Sequence, residues 1–226
     1  MTYDNISIAR FISRPNRFTA NIEIDGEEKV CHVKNTGRLQ ELLLPGVEVA
    51  VQKAANPNRK TSYDLIAVKS ESGYVNIDSG APNIVFGEYL KEGGMGFVPE
   101  YVRAECKHGD SRFDFYFEHN GIRCFAEVKG VTLRQNGIAL FPDAPTERGV
   151  KHLRGLINCV SEGFDAYAVF IIKIDGIEHF EPNRSSQPEF ADTLKEAALA
   201  GVKILALGCD IDKDSIHISK TIPVVI

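Results

Sequence analysis

Two apolar runs late in the chain constrain its fold most strongly. They cover residues 166–174 and 202–207, and the segment between them at 188–200 has helical periodicity, with Gly201 directly after it. Apolar runs without alternation are typical of strands that are buried on both faces, and a strand–helix–strand order favours parallel pairing. A hairpin of strands precedes these elements, so the sequence predicts a mixed sheet flanked by helices, of the α/β (α+β) class.

The first third of the chain has a different pattern. Residues 7–13, 18–24 and 29–33 are predicted as strands, the first two with alternating apolar and polar side chains, and the turn Asp25-Gly26 lies between the last two. Two further strands are predicted at 47–51 and 62–68, and a short helix at 38–43. Five or so short strands with one small helix indicate a small barrel of the OB type, although other small β-barrels fit the periodicity equally. We therefore divide the chain into an OB-like, nucleic-acid-binding barrel at 1–78 and a second domain at 79–226.

The charge distribution argues against a uniformly basic surface. The 226 residues include 26 basic and 31 acidic side chains, which gives a net charge of −5. Residues 1–78 hold 10 of each sign, so this domain is neutral, yet its basic side chains cluster in predicted loops. Such clusters can contact phosphate even when the total charge is negative. We predict nucleic-acid contacts in this domain from Arg17, Lys34, Arg38, Arg59 and Lys60.

The five cysteines are scattered, and no two of them form a CxxC pair. This spacing argues against a disulfide framework and against a structural zinc site, and it favours reduced cysteines in a cytoplasmic protein. The N-terminal residues have neither the basic nor the apolar region of a signal peptide. No apolar run approaches the roughly 18 residues that span a bilayer. We expect a cytoplasmic protein with no membrane partner.

Charged residues in two apolar strands carry the chemistry. Asp114 lies in one strand, and Glu127 and Lys129 lie in the next, where a spacing of two places them on one face. The turn at 119–121 predicts a hairpin that brings Asp114 alongside. Buried charges are costly unless they are paired or bind a metal ion. Two carboxylates and an ammonium group are thus expected to converge on one edge of the sheet.

This pattern, D…(D/E)xK, is that of a large group of metal-dependent nucleases. Asp114 and Glu127 would bind Mg²⁺ or Mn²⁺ through carboxylate oxygens, and the Val128 carbonyl is a possible third ligand. Lys129 would orient or activate the attacking water. The competing interpretation is a cross-strand salt bridge without catalytic function.

Two helices add candidate residues. Glu88 lies in the helix before the hairpin and is predicted to assist at the metal site, unless it is a solvated helix carboxylate. Arg148, Lys151 and His152 lie in the first turns of the helix at 146–161. Cations oppose the helix dipole at that end, so we interpret them as a phosphate-binding group. The alternative is a set of exposed basic residues paired with nearby carboxylates.

The order of several motifs resembles the sugar fermentation stimulation protein A (SfsA) family along nearly the whole chain. The matching segments include Asn35-Thr36-Gly37, the run at 77–83, Arg112-Phe-Asp-Phe115, the run at 127–133 and the run at 141–153. The resemblance implies an N-terminal OB-like domain and a C-terminal PD-(D/E)xK nuclease-like domain, with Asp114, Glu127 and Lys129 as its core. It also implies DNA binding and a link to the regulation of sugar (maltose) metabolism.

Three functions remain open from the sequence. The first is a Mg²⁺- or Mn²⁺-dependent nuclease that acts on DNA or RNA, with DNA favoured. The second is a DNA-binding transcriptional regulator that does not cut, and the third is an OB module that binds a protein or a sugar. The apolar C-terminal residues 224–226 could pair with a second copy in a homodimer, or could complete a sheet of their own chain.

Overall fold

A computed structural model of the protein describes residues 1–35, 37–56 and 58–226. Thr36, which is part of one family-like segment, lies outside the described residues. No helix within these ranges is long and apolar enough to cross a membrane.

Six strands form the first sheet. In chain order they are β1 (Ile6–Asn16), β2 (Thr19–Ile24), β3 (Glu27–Val33), β4 (Glu48–Lys53), β5 (Tyr63–Ser70) and β6 (Gly73–Asn76). Their spatial order is β3-β2-β1-β4-β5-β6, and parallel pairing of β3 with β5 closes five of them into a barrel. Asp25 and Gly26 both have positive φ and form the predicted turn between β2 and β3. The barrel is filled by alternating side chains such as Ile22 and Leu65, which are fully buried.

The predicted helix at 38–43 is wrong. These residues form turns, in which the amides of Leu42 and Leu43 donate to the Leu39 carbonyl at 3.2 and 2.9 Å. Leu39 has a φ of 51°, which lies in the left-handed region and cannot continue a right-handed helix. Pro45 follows closely and would end any helix that began here.

The second part of the chain contains three helices and nine strands within the described residues. The helices are α1 (Ala81–Lys91), α2 (Glu147–Ser161) and α3 (Pro188–Leu199). The strands are β7 (Tyr101–His108), β8 (Ser111–His119), β9 (Ile122–Val131), β10 (Leu133–Gln135), β11 (Ile138–Phe141), β12 (Asp165–Ile172), β13 (His179–Pro182), β14 (Lys203–Asp212) and β15 (Ser215–Ile222).

The main sheet of this part has the order β15-β14-β12-β9-β8-β7. Its centre is parallel, because β12 pairs in parallel with both β9 and β14. Its edges are antiparallel hairpins. The apolar runs that predicted doubly buried strands are β12 and β14, and the mixed sheet predicted from them is present.

The helices begin and end where the sequence signals them. Pro82 and Pro188 lie in the first turns of α1 and α3, as expected for a residue with no amide proton to offer. Thr146 caps α2 by accepting a hydrogen bond from the Gly149 amide at 3.0 Å.

A small sheet of β10, β11 and β13 was not predicted from the sequence. The C-terminal segment extends it, because the amide of Val225 donates to the Phe180 carbonyl at 2.9 Å and the amide of Phe180 donates to the Pro223 carbonyl at 2.8 Å. Of the two possibilities left open for residues 224–226, the structure shows that they complete a sheet of their own chain.

Candidate functional site

A cavity of about 870 Å³ lies between the barrel and the main sheet of the second part. Both parts contribute to its walls. Its charged lining residues are Arg14, Arg17, Arg38, Asp114, Glu127, Lys129, Asp143, Arg148 and Lys173. Six of these are basic and three are acidic, so the cavity is locally positive in a protein whose net charge is −5.

The predicted carboxylates lie where two strands separate. The register of β8 with β9 runs from His119↔Ile122 to Phe115↔Ala126. Asp114 precedes Phe115 and lies just beyond this pairing. Its carboxylate accepts a hydrogen bond from the Val128 amide at 2.8 Å, in place of a backbone carbonyl of the neighbouring strand. At this separation Asp114, Glu127 and Lys129 line the cavity, although they belong to strands.

Glu127 is buried and held by two cationic or potentially cationic neighbours. Its Oε1 accepts a hydrogen bond from Lys129 Nζ and pairs with His152 Nδ1 from α2. Burial by itself raises the pKa of Glu127, but the hydrogen bonds and charges of His152 and Lys129 outweigh it and hold the pKa below its ordinary value. Glu127 is therefore ionised at neutral pH, and its Oε2 is buried with no hydrogen-bond partner among the described residues.

Asp114 is in the opposite electrostatic situation. Burial and the charge of Glu127 raise its pKa, although the Val128 amide, Lys129 and Asn83 act in the other direction. The Asn83 side chain of α1 donates to Asp114 Oδ1 at 3.0 Å. The site thus holds two carboxylates that repel each other, and one of them has a buried oxygen to which the described residues donate nothing.

The structure adds Lys173, which the sequence reading did not single out. It follows β12 directly, its side chain is buried, and its Nζ donates to the Asp78 carbonyl at 2.7 Å. Burial lowers its pKa to about 8. Gly130 gives it room, because a Cβ at that position would lie 3.1 Å from Lys173 Cε and 2.8 Å from Pro82 Cγ. The sequence signal that could have identified Lys173 is its position as a charged residue at the end of the apolar run that forms β12.

Of the predicted nucleic-acid contacts in the barrel, the structure places Arg17 and Arg38 in the cavity wall, where both are exposed. Arg14 lies between them and donates to four backbone carbonyls, including those of Arg17 and Arg38, at 2.8–2.9 Å. Arg14 therefore organises this wall. Arg17 and Arg38 form no ion pair among the described residues, which leaves their guanidinium groups available to an anion.

The other basic residues predicted in the barrel lie outside this wall. Lys34 forms an ion pair with the buried Asp78 at 2.6 Å, and Arg59 forms one with Asp64 at 2.6 Å. Lys60 is exposed but does not line the cavity. Lys34 and Arg59 already have carboxylate partners, so the geometry gives them a structural role first.

Three predicted residues of the helices are placed differently from expectation. Glu88 lies outside the cavity and pairs with the amino group of Met1 at 2.7 Å. Lys151 lines a separate cavity on the other side of α2. His152 is buried behind Glu127, and its Nε2 is 3.4 Å from Arg148 Nε. Of the predicted phosphate-binding group, only Arg148 faces the cavity.

The barrel, the mixed sheet and the point at which β8 and β9 separate together define a class of protein in which an OB domain is joined to a PD-(D/E)xK nuclease-like domain. Two family models match the chain in the same order. The SfsA N-terminal OB domain matches residues 12–77, and the sugar fermentation stimulation protein RE domain matches residues 80–215. The chain belongs to the sugar fermentation stimulation protein (SfsA) family.

Full-length relatives agree with this assignment. The chain is 51% identical over 226 residues to a sugar fermentation stimulation protein homolog of Clostridium beijerinckii, with 100% of both chains covered. It is 52% identical over 217 residues to a homolog of Desulfitobacterium hafniense, which covers 96% of this chain and 95% of the relative. The solved structure of Pyrococcus furiosus SfsA in complex with Ca²⁺ matches with a TM-score of 0.90 and 29% identity, covering 100% of this chain and 98% of that chain.

Proposed function

We propose that this protein is a divalent-cation-dependent nuclease that binds DNA and hydrolyses its phosphodiester bonds. The observation that carries the proposal is the convergence of Asp114, Glu127 and Lys129 where β8 and β9 separate, in a cavity with a positive lining. A purely structural salt bridge, which is the competing interpretation, does not explain why these residues line a cavity to which the barrel also contributes.

The residues fit a hard divalent cation. Glu127 Oε2 is buried without a partner among the described residues, and burial together with the charge of Glu127 raises the pKa of Asp114. Carboxylate oxygens are the ligands that Mg²⁺ and Mn²⁺ prefer. The relative from P. furiosus was solved with Ca²⁺, another hard cation, which supports the same preference here. A cation at Asp114 and Glu127 would neutralise charge on the scissile phosphate and lower the pKa of a bound water.

The neighbouring side chains have separate tasks in this proposal. Lys129 Nζ lies beside Glu127 on the cavity side, where it can orient the attacking water and stabilise the negative charge that develops on the phosphate. His152 does not line the cavity and is a positioning residue, because its ring fixes the orientation of Glu127 from behind. Arg148 and Lys173 add positive charge to the cavity wall, where the phosphate groups of a bound DNA would lie.

The test is cleavage of labelled single- and double-stranded DNA and RNA with Mg²⁺, Mn²⁺ or EDTA. We expect metal-dependent cutting of DNA by the wild type, and a loss of at least about 100-fold in Glu127→Gln. Glu88→Gln is the matched control, because it makes the same chemical change on a carboxylate outside the cavity. Binding of DNA without cutting under any metal would contradict the nuclease proposal and support the non-cleaving regulator.

DNA binding is expected to depend on Arg17 and Arg38, the exposed arginines that the barrel contributes to the cavity wall. Arg17→Ala combined with Arg38→Ala should weaken DNA binding and lower the slope of log affinity against log salt by about 2, roughly one for each lost phosphate contact. Fluorescence anisotropy at several salt concentrations measures this slope. Lys151→Ala combined with Arg154→Ala removes the same charge from the second cavity and serves as the control. Equal losses in both pairs would show that the effect is one of net charge only.

A further inference from the structure

A second group of potential metal ligands lies away from the cavity, where three strands meet. His119 is the last residue of β8, Cys124 lies near the start of β9, and Asp165 begins β12 opposite Cys124. None of the three lines the cavity. Cys124 precedes Glu127 by three residues, which places the two side chains on opposite faces of β9, about 10 Å apart along the strand.

The ligand atoms of this group converge. One nitrogen of His119, the sulfur of Cys124 and one carboxylate oxygen of Asp165 all lie within 4.8 Å of one another. The His119 ring is fixed by stacking on Phe97, with ring centroids 3.6 Å apart and planes at 14°. The three donors come from rigid strands, so the arrangement does not depend on loop conformation.

The hydrogen bonding of His119 is an independent observation that points to a ligand. Both of its ring nitrogens are buried, and neither has a hydrogen-bond partner among the described residues. A neutral imidazole has one donor and one acceptor nitrogen, and buried polar atoms of this kind are almost always satisfied. A bound metal ion would give this histidine, which lies beside a thiol and a carboxylate, the partner that the described residues do not provide.

We propose that His119, Cys124 and Asp165 bind a Zn²⁺-type divalent cation. Histidine nitrogen, cysteine sulfur and aspartate oxygen are the zinc donors of proteins, and three of them leave a fourth tetrahedral position for water. A thiolate ligand selects against Mg²⁺, Mn²⁺ and Ca²⁺, so this site differs in metal preference from the cation site proposed at Asp114 and Glu127. Lys203 donates a hydrogen bond to Asp165 Oδ2 at 2.6 Å and thereby orients the carboxylate. The other carboxylate oxygen, Asp165 Oδ1, stays available to the metal ion. The bound ion would tie the β8–β9 hairpin to the start of β12.

Cobalt tests this directly, because Co²⁺ substitutes for Zn²⁺ and absorbs in the near ultraviolet only when a thiolate binds it. The reduced 226-residue chain is titrated with Co²⁺ in the presence of excess Mg²⁺, which is added to fill the proposed cation site at Asp114 and Glu127. We expect one equivalent of Co²⁺ to produce the thiolate band and one equivalent of Zn²⁺ to remove it. Cys124→Ser should lose the band, whereas Cys159→Ser, which alters another buried cysteine, should keep it.

His119→Ala gives a second readout that does not require Cys124→Ser to fold. It should weaken Zn²⁺ binding at least about 100-fold, since loss of outer hydrogen-bond partners alone costs about 10–100-fold. Circular dichroism confirms that each variant is folded. A wild type without the thiolate band, a band that persists in Cys124→Ser, or unchanged Zn²⁺ affinity in His119→Ala would overturn the proposal. None of these outcomes depends on nuclease activity.

Discussion

A Lys129→Met variant is expected to cut DNA about 10²–10⁴-fold more slowly than the wild type while binding it nearly as tightly. Methionine keeps the length and packing of the side chain but removes the ammonium group that faces the cavity beside Glu127. His152 still holds Glu127, so the carboxylate stays in place. The loss should therefore appear in the rate of the chemical step.

The measurement is a single-turnover cleavage rate with protein in excess and saturating Mg²⁺ or Mn²⁺, beside an anisotropy titration of the same DNA. Lys151→Met is the matched control, since it makes the same substitution on an exposed lysine of α2 that lines the second cavity. An unchanged cleavage rate in Lys129→Met would reduce Lys129 to a cross-strand salt bridge, which is the competing interpretation of the motif.

Mg²⁺ or Mn²⁺ is expected to stabilise the wild type against unfolding, and Asp114→Asn should abolish this effect. A cation that binds only the folded state at 100 times its Kd adds about 2.7 kcal/mol to the free energy of unfolding. Asp143→Asn, on an exposed cavity carboxylate, is the control. Persistence of the cation effect in Asp114→Asn would show that the ion binds elsewhere.

In EDTA at neutral pH, the Asp114→Asn variant should have a higher free energy of unfolding than the wild type. The pKa of Asp114 is raised in the folded state, so the folded protein binds its proton more tightly than the unfolded chain does. Stability of the wild type therefore falls as pH rises from the unfolded-state pKa, about 3.9, through the folded-state pKa. The stability advantage of the Asp114→Asn variant should disappear below that window. Urea unfolding in EDTA between acidic and neutral pH measures it.

The sequence predicted most of the fold because periodicity and caps agree with the tertiary structure. The barrel strands, α1, α2 and α3, and the β8–β9 hairpin follow from alternation, prolines and turn residues. The small sheet of β10, β11 and β13 could not be predicted, because strands of three or four residues carry too little periodicity. The helix at 38–43 failed because Leu39 adopts a positive φ that side-chain type does not reveal.

The positions of the candidate site residues relative to one another were predicted better on strands than on helices. Strand alternation alone places Glu127 and Lys129 on one face. Around α1, however, Asn83 and Glu88 are five residues apart and therefore about 140° apart on the helix. Asn83 faces Asp114, so Glu88 points elsewhere. Which residue of a helix faces a site depends on how the helix packs, and no local pattern encodes that.

The group of His119, Cys124 and Asp165, where we propose a zinc site, could not be predicted from the sequence. The cysteine spacing contains no CxxC pair, and His119, Cys124 and Asp165 belong to three different strands. Only the parallel register of β9 with β12 brings Cys124 and Asp165 side by side. Such a group is visible in the structure and not in the sequence.

A cut between residues 77 and 80, where the two family models meet, would separate residues that contact each other, because Asp78 has partners on both sides of it. Lys173 donates to the carbonyl of Asp78, and Lys34 pairs with the carboxylate of the same residue. If the second half were produced separately from residue 80 onward, the buried Lys173 ammonium group would lose the Asp78 carbonyl that accepts its hydrogen bond. Residues ahead of the barrel also belong to the other half, since the amide of Tyr3 donates to the Asp214 carbonyl at 2.8 Å. Two domains by sheet topology thus form one cooperative unit, which should unfold in a single transition.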